Sequence, residues 1–185
     1  MLRDAYACGQ RDFGENYLQE ALGKQTELTD LNIVWHFIGP IQSNKTKPIA
    51  EHFSWVHSVD RLKIAERLSA QRPTELGPLN ICLEVNVSGE TTKAGCTPEQ
   101  LPELANVINQ LPNLHLRGLM TLPEPSADPV QQQLPFARLK QLLDELKLPL
   151  DTLSMGMSAD LEAAVAERAT WVRIGSALFG PRQYH

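Results

Sequence analysis

The sequence predicts an α/β fold, a TIM-type (β/α)8 barrel that lacks its first strand in this chain. Short apolar segments alternate with longer helical patterns along the whole chain, as is typical of parallel β/α units. Seven strands can be counted, and a helix precedes the first, whereas a closed barrel has eight. An open doubly wound sheet is the alternative. That fold usually carries a GxGxxG turn after its first strand, and the sequence contains none.

The predicted strands are short segments rich in apolar and β-branched residues that end in small or polar residues. They cover residues 11–13, 34–38, 55–59, 80–87, 115–121, 152–155 and 171–174. Because a helix follows most of them, we expect the strands to run parallel.

Apolar residues at helical spacing predict the helices between these strands. They cover residues 17–27, 46–52, 61–70, 98–110, 130–146 and 159–168. Thr97 followed by Pro98 predicts a capped start for the helix over 98–110. A further helix is predicted before the first strand, where Leu2 and Ala5 lie at helical spacing and Gly9 ends the pattern.

Length and composition indicate a single globular domain over residues 1–185, with 42% hydrophobic residues. The net charge of -5 gives no support to nucleic-acid binding. No apolar stretch is long enough for a membrane span, and residues 1–10 lack a secretory signal pattern, so we expect a cytoplasmic protein. Cys8, Cys82 and Cys96 lack paired spacing, which argues against zinc and disulfides.

The segment WVRIGSALFG places Arg173 between Val172 and Ile174 in an apolar strand. A guanidinium is rarely buried without a polar partner, so this residue indicates an anionic ligand. The alternative is an ion pair with a carboxylate of a neighbouring strand.

Small polar residues follow both of the last two strands. Ser158 comes after strand 152–155, and Gly175 and Ser176 come after strand 171–174. In parallel barrels these two loops commonly bind a phosphate through backbone N–H groups and a short helix. The alternative is structural, with Ser158 as a helix cap and Gly175-Ser176 as a tight turn.

Two more polar residues are expected near the same end of the barrel. Asn16 follows the first predicted strand, and His36 lies within the second. A single strand histidine is more often a core residue with satisfied hydrogen bonds than a functional one. His36 is nevertheless kept as a residue that lines the site.

Six segments together resemble the pyridoxal phosphate homeostasis protein family, whose barrel is similar to that of alanine racemase. They are FGENY, WHFIGPIQSNK, VNVSGETTKAG, RGLMTLP, LSMGMSADLEAAV and VRIGSALFG. The likeness covers essentially the whole chain. It implies an alanine racemase-like barrel that binds pyridoxal 5'-phosphate (PLP) without established catalytic turnover.

The resemblance also implies how the residues meet the cofactor. It implies that the phosphate is bound by Ser158, Gly175 and Ser176, with Met157 contributing backbone. It also implies that Arg173 faces the pyridine nitrogen and that Asn16 lies near the cofactor. A permanent cation beside the ring nitrogen disfavours its protonation and weakens the ring as an electron sink. We therefore expect a site that holds PLP and is a poor catalyst.

The family carries its Schiff-base lysine at the end of the first strand, in a segment like SKTKP, and this chain begins after that point. Lys45, in the similar string NKTKP, belongs to the QSNK segment of the resemblance and is not expected to replace it. We expect an N-terminally shortened sequence. A barrel without one strand exposes two edges, so we also expect low stability or aggregation, and weakened PLP binding.

The leading functional prediction is a PLP-binding protein of intracellular PLP homeostasis that supplies the cofactor to other enzymes, with PLP-dependent apoenzymes as possible partners. A monomer is expected because no dimerization stripe is evident. One alternative is a PLP-dependent amino-acid racemase-like enzyme, although racemization needs two opposed acid/base groups. Another is a barrel enzyme for a different phosphorylated metabolite.

Overall fold

A computed structural model describes residues 1–89 and 93–180. Seven parallel strands form one sheet in the order of the chain. The strands are β1 Asp12–Glu15, β2 Val34–Phe37, β3 Trp55–Val59, β4 Leu79–Glu84, β5 Leu114–Met120, β6 Thr152–Met157 and β7 Trp171–Arg173. Each corresponds to a predicted strand. The largest difference is at the end of β4, where Val85 forms only an isolated bridge with Cys96 instead of continuing the strand.

Helices follow the strands, and one precedes β1. They are α1 Leu2–Ala7, α2 Leu18–Glu27, α3 Thr46–His52, α4 Leu62–Gln71, α5 Leu101–Ile108, α6 Pro129–Glu145, α7 Leu161–Ala166 and α8 Ser176–Phe179. Short 3-10 turns cover Ser43–Lys45 and Thr74–Leu76.

The start of α5 differs from the sequence prediction. The helix begins at Leu101, three residues after the proline that was predicted to open it. Thr97 and Gln100 instead exchange hydrogen bonds, with the Gln100 N–H donating to Thr97 Oγ1 and the Thr97 N–H donating to Gln100 Oε1. This reciprocal pair holds the turn that leads into the helix.

The strand order identifies a barrel. A doubly wound sheet reverses its strand order partway, whereas here every strand neighbours the next in sequence. The sheet curls until β7 packs against β2 and β3, where the Trp171 ring centroid lies 4.9 Å from His36 and 5.5 Å from Trp55. The predicted barrel, nearly closed with seven strands, is confirmed. In the described ranges β1 and β7 each pair on one side only, and the predicted low stability stays a prediction.

The barrel has two separate apolar regions. The larger one lies between the sheet and the surrounding helices, where outward-facing strand residues such as Ile81 and Leu83 belong to the same cluster as Leu68 of α4. The smaller one fills the barrel interior and centres on Trp55, Cys82 and Met120. The partly buried Val34 and Trp171 pack against it. Because strand side chains alternate between faces, the polar residues between the outward-facing ones enter the interior.

Two glycines allow the backbone segments around the barrel to approach closely. A Cβ on Gly39 would lie 2.0 Å from the Asn16 carbonyl oxygen, and one on Gly118 would lie 1.8 Å from the Thr152 oxygen. Any side chain at either position would displace backbone. Gly39 thus sets the position of the segment after β1, and Gly118 that of β6 against β5.

None of the helices in the described ranges is both long and apolar enough to cross a membrane. Within the same ranges, no group of histidine, cysteine and acidic side chains is arranged to hold a metal ion. Cys8 is exposed, whereas Cys82 and Cys96 are buried, and all three thiols are free.

Candidate functional site

The loops after β6 and β7 meet at the carboxyl end of the barrel, which we call the mouth. Met157, near the end of β6, stands in register with Arg173, which ends β7. Ser158 follows Met157, and its Oγ accepts a hydrogen bond from the Ala177 N–H of α8 at 3.3 Å. The structure therefore brings together the two loops that the sequence predicted to form one site.

Ser158 does not cap the helix that follows it. The N-cap of α7 is Asp160, and its carboxylate accepts from the Met157 N–H at 2.6 Å. The alternative of Ser158 as the cap of α7 is therefore wrong, and its hydroxyl instead accepts from an N–H in the first turn of α8. This hydroxyl is only partly buried, so it retains access to the mouth.

Gly175 and Ser176 are exposed at the start of α8. A Cβ on Gly175 would meet no heavy atom within 4 Å, so open space lies beside this backbone. Together with Ser158, the two residues offer neutral hydroxyl and backbone N–H donors. This donor set suits a phosphate, which accepts several hydrogen bonds.

Arg173 is held by neutral groups. Its Nη1 donates to Ser154 Oγ at 2.7 Å, and its Nη2 donates to the Thr121 carbonyl oxygen at 2.9 Å. Within residues 1–89 and 93–180, no carboxylate forms an ion pair with it. The alternative of a carboxylate pair on a neighbouring strand is therefore wrong for the described chain.

Burial lowers the pKa of Arg173 to about 10, although the negative charges of Asp160 and Glu84 oppose this. The guanidinium remains charged at neutral pH. It is a partly buried cation that uses two N–H groups on protein oxygens and has others left for a ligand.

Glu84, at the end of β4, is a buried carboxyl group that the sequence reasoning missed. Burial raises its pKa to about 7, and the charge of Asp60 adds to the effect while Arg173 opposes it. A signal was present in the sequence, since an acidic residue ends the apolar strand LNICLE. This carboxyl group changes its charge near neutral pH.

His36 lies inside the barrel, apart from the loops at the mouth. It is buried, and its ring stacks on Trp55 with centroids 5.5 Å apart. Nε2 lies 3.1 Å from Asp12 Oδ1, and Nδ1 lies 2.9 Å from His57 Nε2. Protein groups therefore occupy both ring nitrogens, and the described polar and ring contacts of His36 do not include the other predicted site residues.

Asn16 follows β1 and is exposed, with its carbonyl against Gly39. The sequence reasoning missed His57 and Ser154, although each of them lies inside a predicted strand. His57 Nδ1 is 2.7 Å from Ser154 Oγ. The signal for His57 was its spacing of two from Trp55, which places both on one face of β3.

Similar proteins of known name identify the family of this chain. The family model for the alanine racemase N-terminal domain matches residues 1–183. A protein of Pseudomonas aeruginosa named pyridoxal phosphate homeostasis protein is 71% identical over 183 residues, which cover 99% of this chain and 80% of that relative. The chain belongs to the pyridoxal phosphate homeostasis protein family. An Escherichia coli K12 protein of the same name is 47% identical over 193 residues, with 99% of this chain and 81% of the relative covered.

Solved structures support the same family. PipY of Synechococcus elongatus, solved without PLP, is 43% identical with a TM-score of 0.91, covering 97% of this chain and 86% of PipY. A second PipY structure is described as having PLP bound, with 42% identity and a TM-score of 0.89. Alanine racemase of Clostridium difficile has a TM-score of 0.74 at 15% identity, which shows a shared fold.

Some of the sequence predictions fall partly outside the described residues. Residues 90–92 of the VNVSGETTKAG segment and residues 181–185 of the expected single domain are in this group.

Proposed function

We propose that this chain binds pyridoxal 5'-phosphate at the mouth of the barrel and serves intracellular PLP homeostasis, without strong catalytic activity of its own. The observation that carries this proposal is the convergence of the Ser158 loop and the Gly175-Ser176 loop beside Arg173. Relatives named pyridoxal phosphate homeostasis protein and the PLP-bound PipY structure support it.

The proposed phosphate contacts use the donors of the two loops. Ser158 and Ser176 supply hydroxyl groups, and Gly175 leaves space for close backbone approach. Met157 contributes backbone, and Asn16 lies beside the cofactor. These neutral donors compensate a phosphate by hydrogen bonding.

Arg173 is proposed to face the pyridine nitrogen. When bound, PLP supplies an aldehyde that reacts with amines and a ring that can accept electrons. A guanidinium donates to an unprotonated ring nitrogen and disfavours its protonation, because it cannot take up a proton and repels a second positive charge. Arg173 therefore helps to hold the cofactor and limits the ability of its ring to withdraw electrons.

The buried pairing of His36 favours an indirect role for this residue. Since both its ring nitrogens bind protein groups, we propose that it supports the barrel interior beneath the cofactor. The direct cofactor contact stays a prediction.

The wider proposal is a single PLP-binding barrel domain over residues 1–185 that acts as a monomer in the cytoplasm. PLP-dependent apoenzymes are its proposed protein partners, whereas nucleic acid and membranes are not. The net charge of -5 supports the exclusion of nucleic acid as a partner.

A PLP titration tests the proposed site. We expect saturable binding, followed by absorbance and by quenching of tryptophan fluorescence, and a loss of about tenfold or more for Ser158→Ala combined with Ser176→Ala. Thr26→Ala is the control, because the Thr26 hydroxyl donates to the Leu22 carbonyl within α2. Unchanged affinity in the double variant would place PLP elsewhere.

Borohydride reduction and peptide mass mapping test the lysine assignment. This chain is compared with a longer chain that carries the family's lysine strand upstream of residue 1. We expect a reduced lysine adduct in the longer chain only. An adduct on Lys45 or Lys93 of the present chain would contradict the assignment and indicate a self-contained covalent site.

A further inference from the structure

A continuous chain of hydrogen bonds runs through the barrel interior to Arg173. Asp12 Oδ1 is 3.1 Å from His36 Nε2, and His36 Nδ1 is 2.9 Å from His57 Nε2. His57 Nδ1 is 2.7 Å from Ser154 Oγ, which is 2.7 Å from Arg173 Nη1. These five residues, which we call the polar chain, come from β1, β2, β3, β6 and β7.

The middle of the polar chain is shielded from water. His36, His57 and Ser154 are 3%, 2% and 0% exposed. The Trp55 and Trp171 rings pack against both histidines. Hydrogen bonds in such a dry environment are strong, and a missing partner is costly.

With both histidine rings neutral, the carboxylate at the Asp12 end of the polar chain determines its direction. Arginine can only donate, so Ser154 Oγ accepts from Arg173 and its own proton is available for His57 Nδ1. His57 then carries its hydrogen on Nε2 and donates to His36 Nδ1. His36 carries its hydrogen on Nε2 and donates to Asp12, whose carboxylate can only accept.

This direction requires both rings to be neutral. With hydrogen on His57 Nε2, a protonated His36 would place two donors against each other between the rings, and a protonated His57 would donate to Ser154 Oγ instead of accepting from it. Burial lowers the pKa of both rings, well below the ordinary value for His57, although Asp12 opposes the effect at His36. The lowered pKa values favour neutral rings, and for neutral rings the contacts of the polar chain allow this one arrangement of protons.

We propose that His57 and Ser154 are positioning residues that fix the Arg173 guanidinium at the cofactor site. The proposal rests on the proposed PLP site. A free arginine side chain would lose considerable rotamer freedom on binding a ligand. The polar chain and the Thr121 carbonyl hold the guanidinium in one orientation before the ligand binds. Because the guanidinium is planar, the directions of its remaining N–H groups are then fixed as well.

The first test needs no ligand. Long-range proton–nitrogen NMR of the histidine side chains, assigned with single-histidine variants, reports which ring nitrogen carries hydrogen. We expect neutral rings with hydrogen on Nε2 for both His36 and His57 at neutral pH. Hydrogen on Nδ1, or an imidazolium at either residue, would overturn the proposed direction whether or not the chain binds PLP.

The second test measures PLP affinity in Ser154→Ala and in Ser154→Cys, which keeps the side chain volume and weakens its hydrogen bonds. We expect both to weaken PLP binding about tenfold, whereas binding of inorganic phosphate changes little. Ser154→Ala should also shift the His57 nitrogen signals. Ser69→Ala is the control, since Ser69 is a buried hydroxyl that donates to Pro112 in another part of the fold.

The outcomes separate the two proposals. Absence of PLP binding by the unaltered chain would overturn the proposed function, while the NMR result would still decide the direction of the polar chain. PLP binding of the same strength in the unaltered chain, Ser154→Ala and Ser154→Cys would overturn the positioning role.

Discussion

Arg173 donates to Ser154 across the β6–β7 pair, with Nη1 2.7 Å from Oγ. This bond joins the cation at the mouth to a buried hydroxyl in the barrel interior. It explains how an arginine is accommodated in an apolar strand without a carboxylate partner. Within residues 1–89 and 93–180 no carboxylate forms an ion pair with this cation, which favours an electron-rich ligand atom.

Replacement of Arg173 by glutamine is expected to change the protonation of bound PLP. Without the cation, the pKa of the ring nitrogen should rise by about one unit or more. The measurement is a pH titration of PLP labelled at the ring nitrogen, observed by nitrogen NMR in the complex. Arg3→Gln is the control, because Arg3 forms an exposed pair with Asp30. An unchanged ring pKa in Arg173→Gln would show that Arg173 does not face the nitrogen.

Glu84 gives the protein a predictable pH dependence. Its pKa is about 7 in the folded chain, mainly because of burial, against about 4.5 for an ordinary glutamate. The folded state therefore binds more protons than the unfolded state between these values, and stability falls as pH rises through about 7. Glu84→Gln should be more stable than the unaltered chain by about 1–3 kcal/mol at about pH 8, with little difference below about pH 4.5.

Urea unfolding at about pH 5 and about pH 8 measures this difference. Glu103→Gln, at an exposed position of α5, controls for the loss of a negative charge alone. The two buried histidines change stability with pH in the opposite direction from Glu84. Because burial lowers the pKa of His36 and His57, their contribution to stability falls as pH drops below about 6.5. A Glu84→Gln variant that showed the same gain at both pH values would contradict the raised pKa.

The elements of the fold were predictable because their signals are local. Trp55–Val59 and Thr46–His52 have the predicted bounds, since apolar spacing and turn residues within a few positions define them. The polar chain was not predictable in the same way. His57 and Ser154 are 97 residues apart, and only the register of the curled sheet brings them together. His36 stays a predicted site residue, and its position in the sequence does not show how deep it lies within the barrel.

Arg72 is expected to be a major contributor to stability away from the mouth. It is 7% exposed, and its guanidinium donates to four carbonyl oxygens, those of Ala50, Phe53, Leu76 and Gly77. Arg72→Met leaves these acceptors without their donor and should lower the free energy of unfolding by about 3–5 kcal/mol, or unfold the chain. Lys63→Met, on the exposed face of the preceding α4, is the matched control. Equal urea midpoints for the two variants would refute this role.

Gly39 and Gly23 provide opposite predictions for the same substitution. In Gly39→Ala the new Cβ would lie 2.0 Å from the Asn16 carbonyl oxygen, so the backbone after β1 has to move. We expect a loss of about 3 kcal/mol or more in the free energy of unfolding, together with weaker PLP binding, because Asn16 shifts. In Gly23→Ala the new Cβ meets nothing within 4 Å, and the residue lies inside α2. This variant should gain up to about 1 kcal/mol through helix propensity, with unchanged PLP affinity. Urea unfolding measures the stability of the two variants, and PLP titration measures their affinity. A Gly39→Ala chain as stable as Gly23→Ala would show that the close approach of Gly39 to Asn16 is not required for stability.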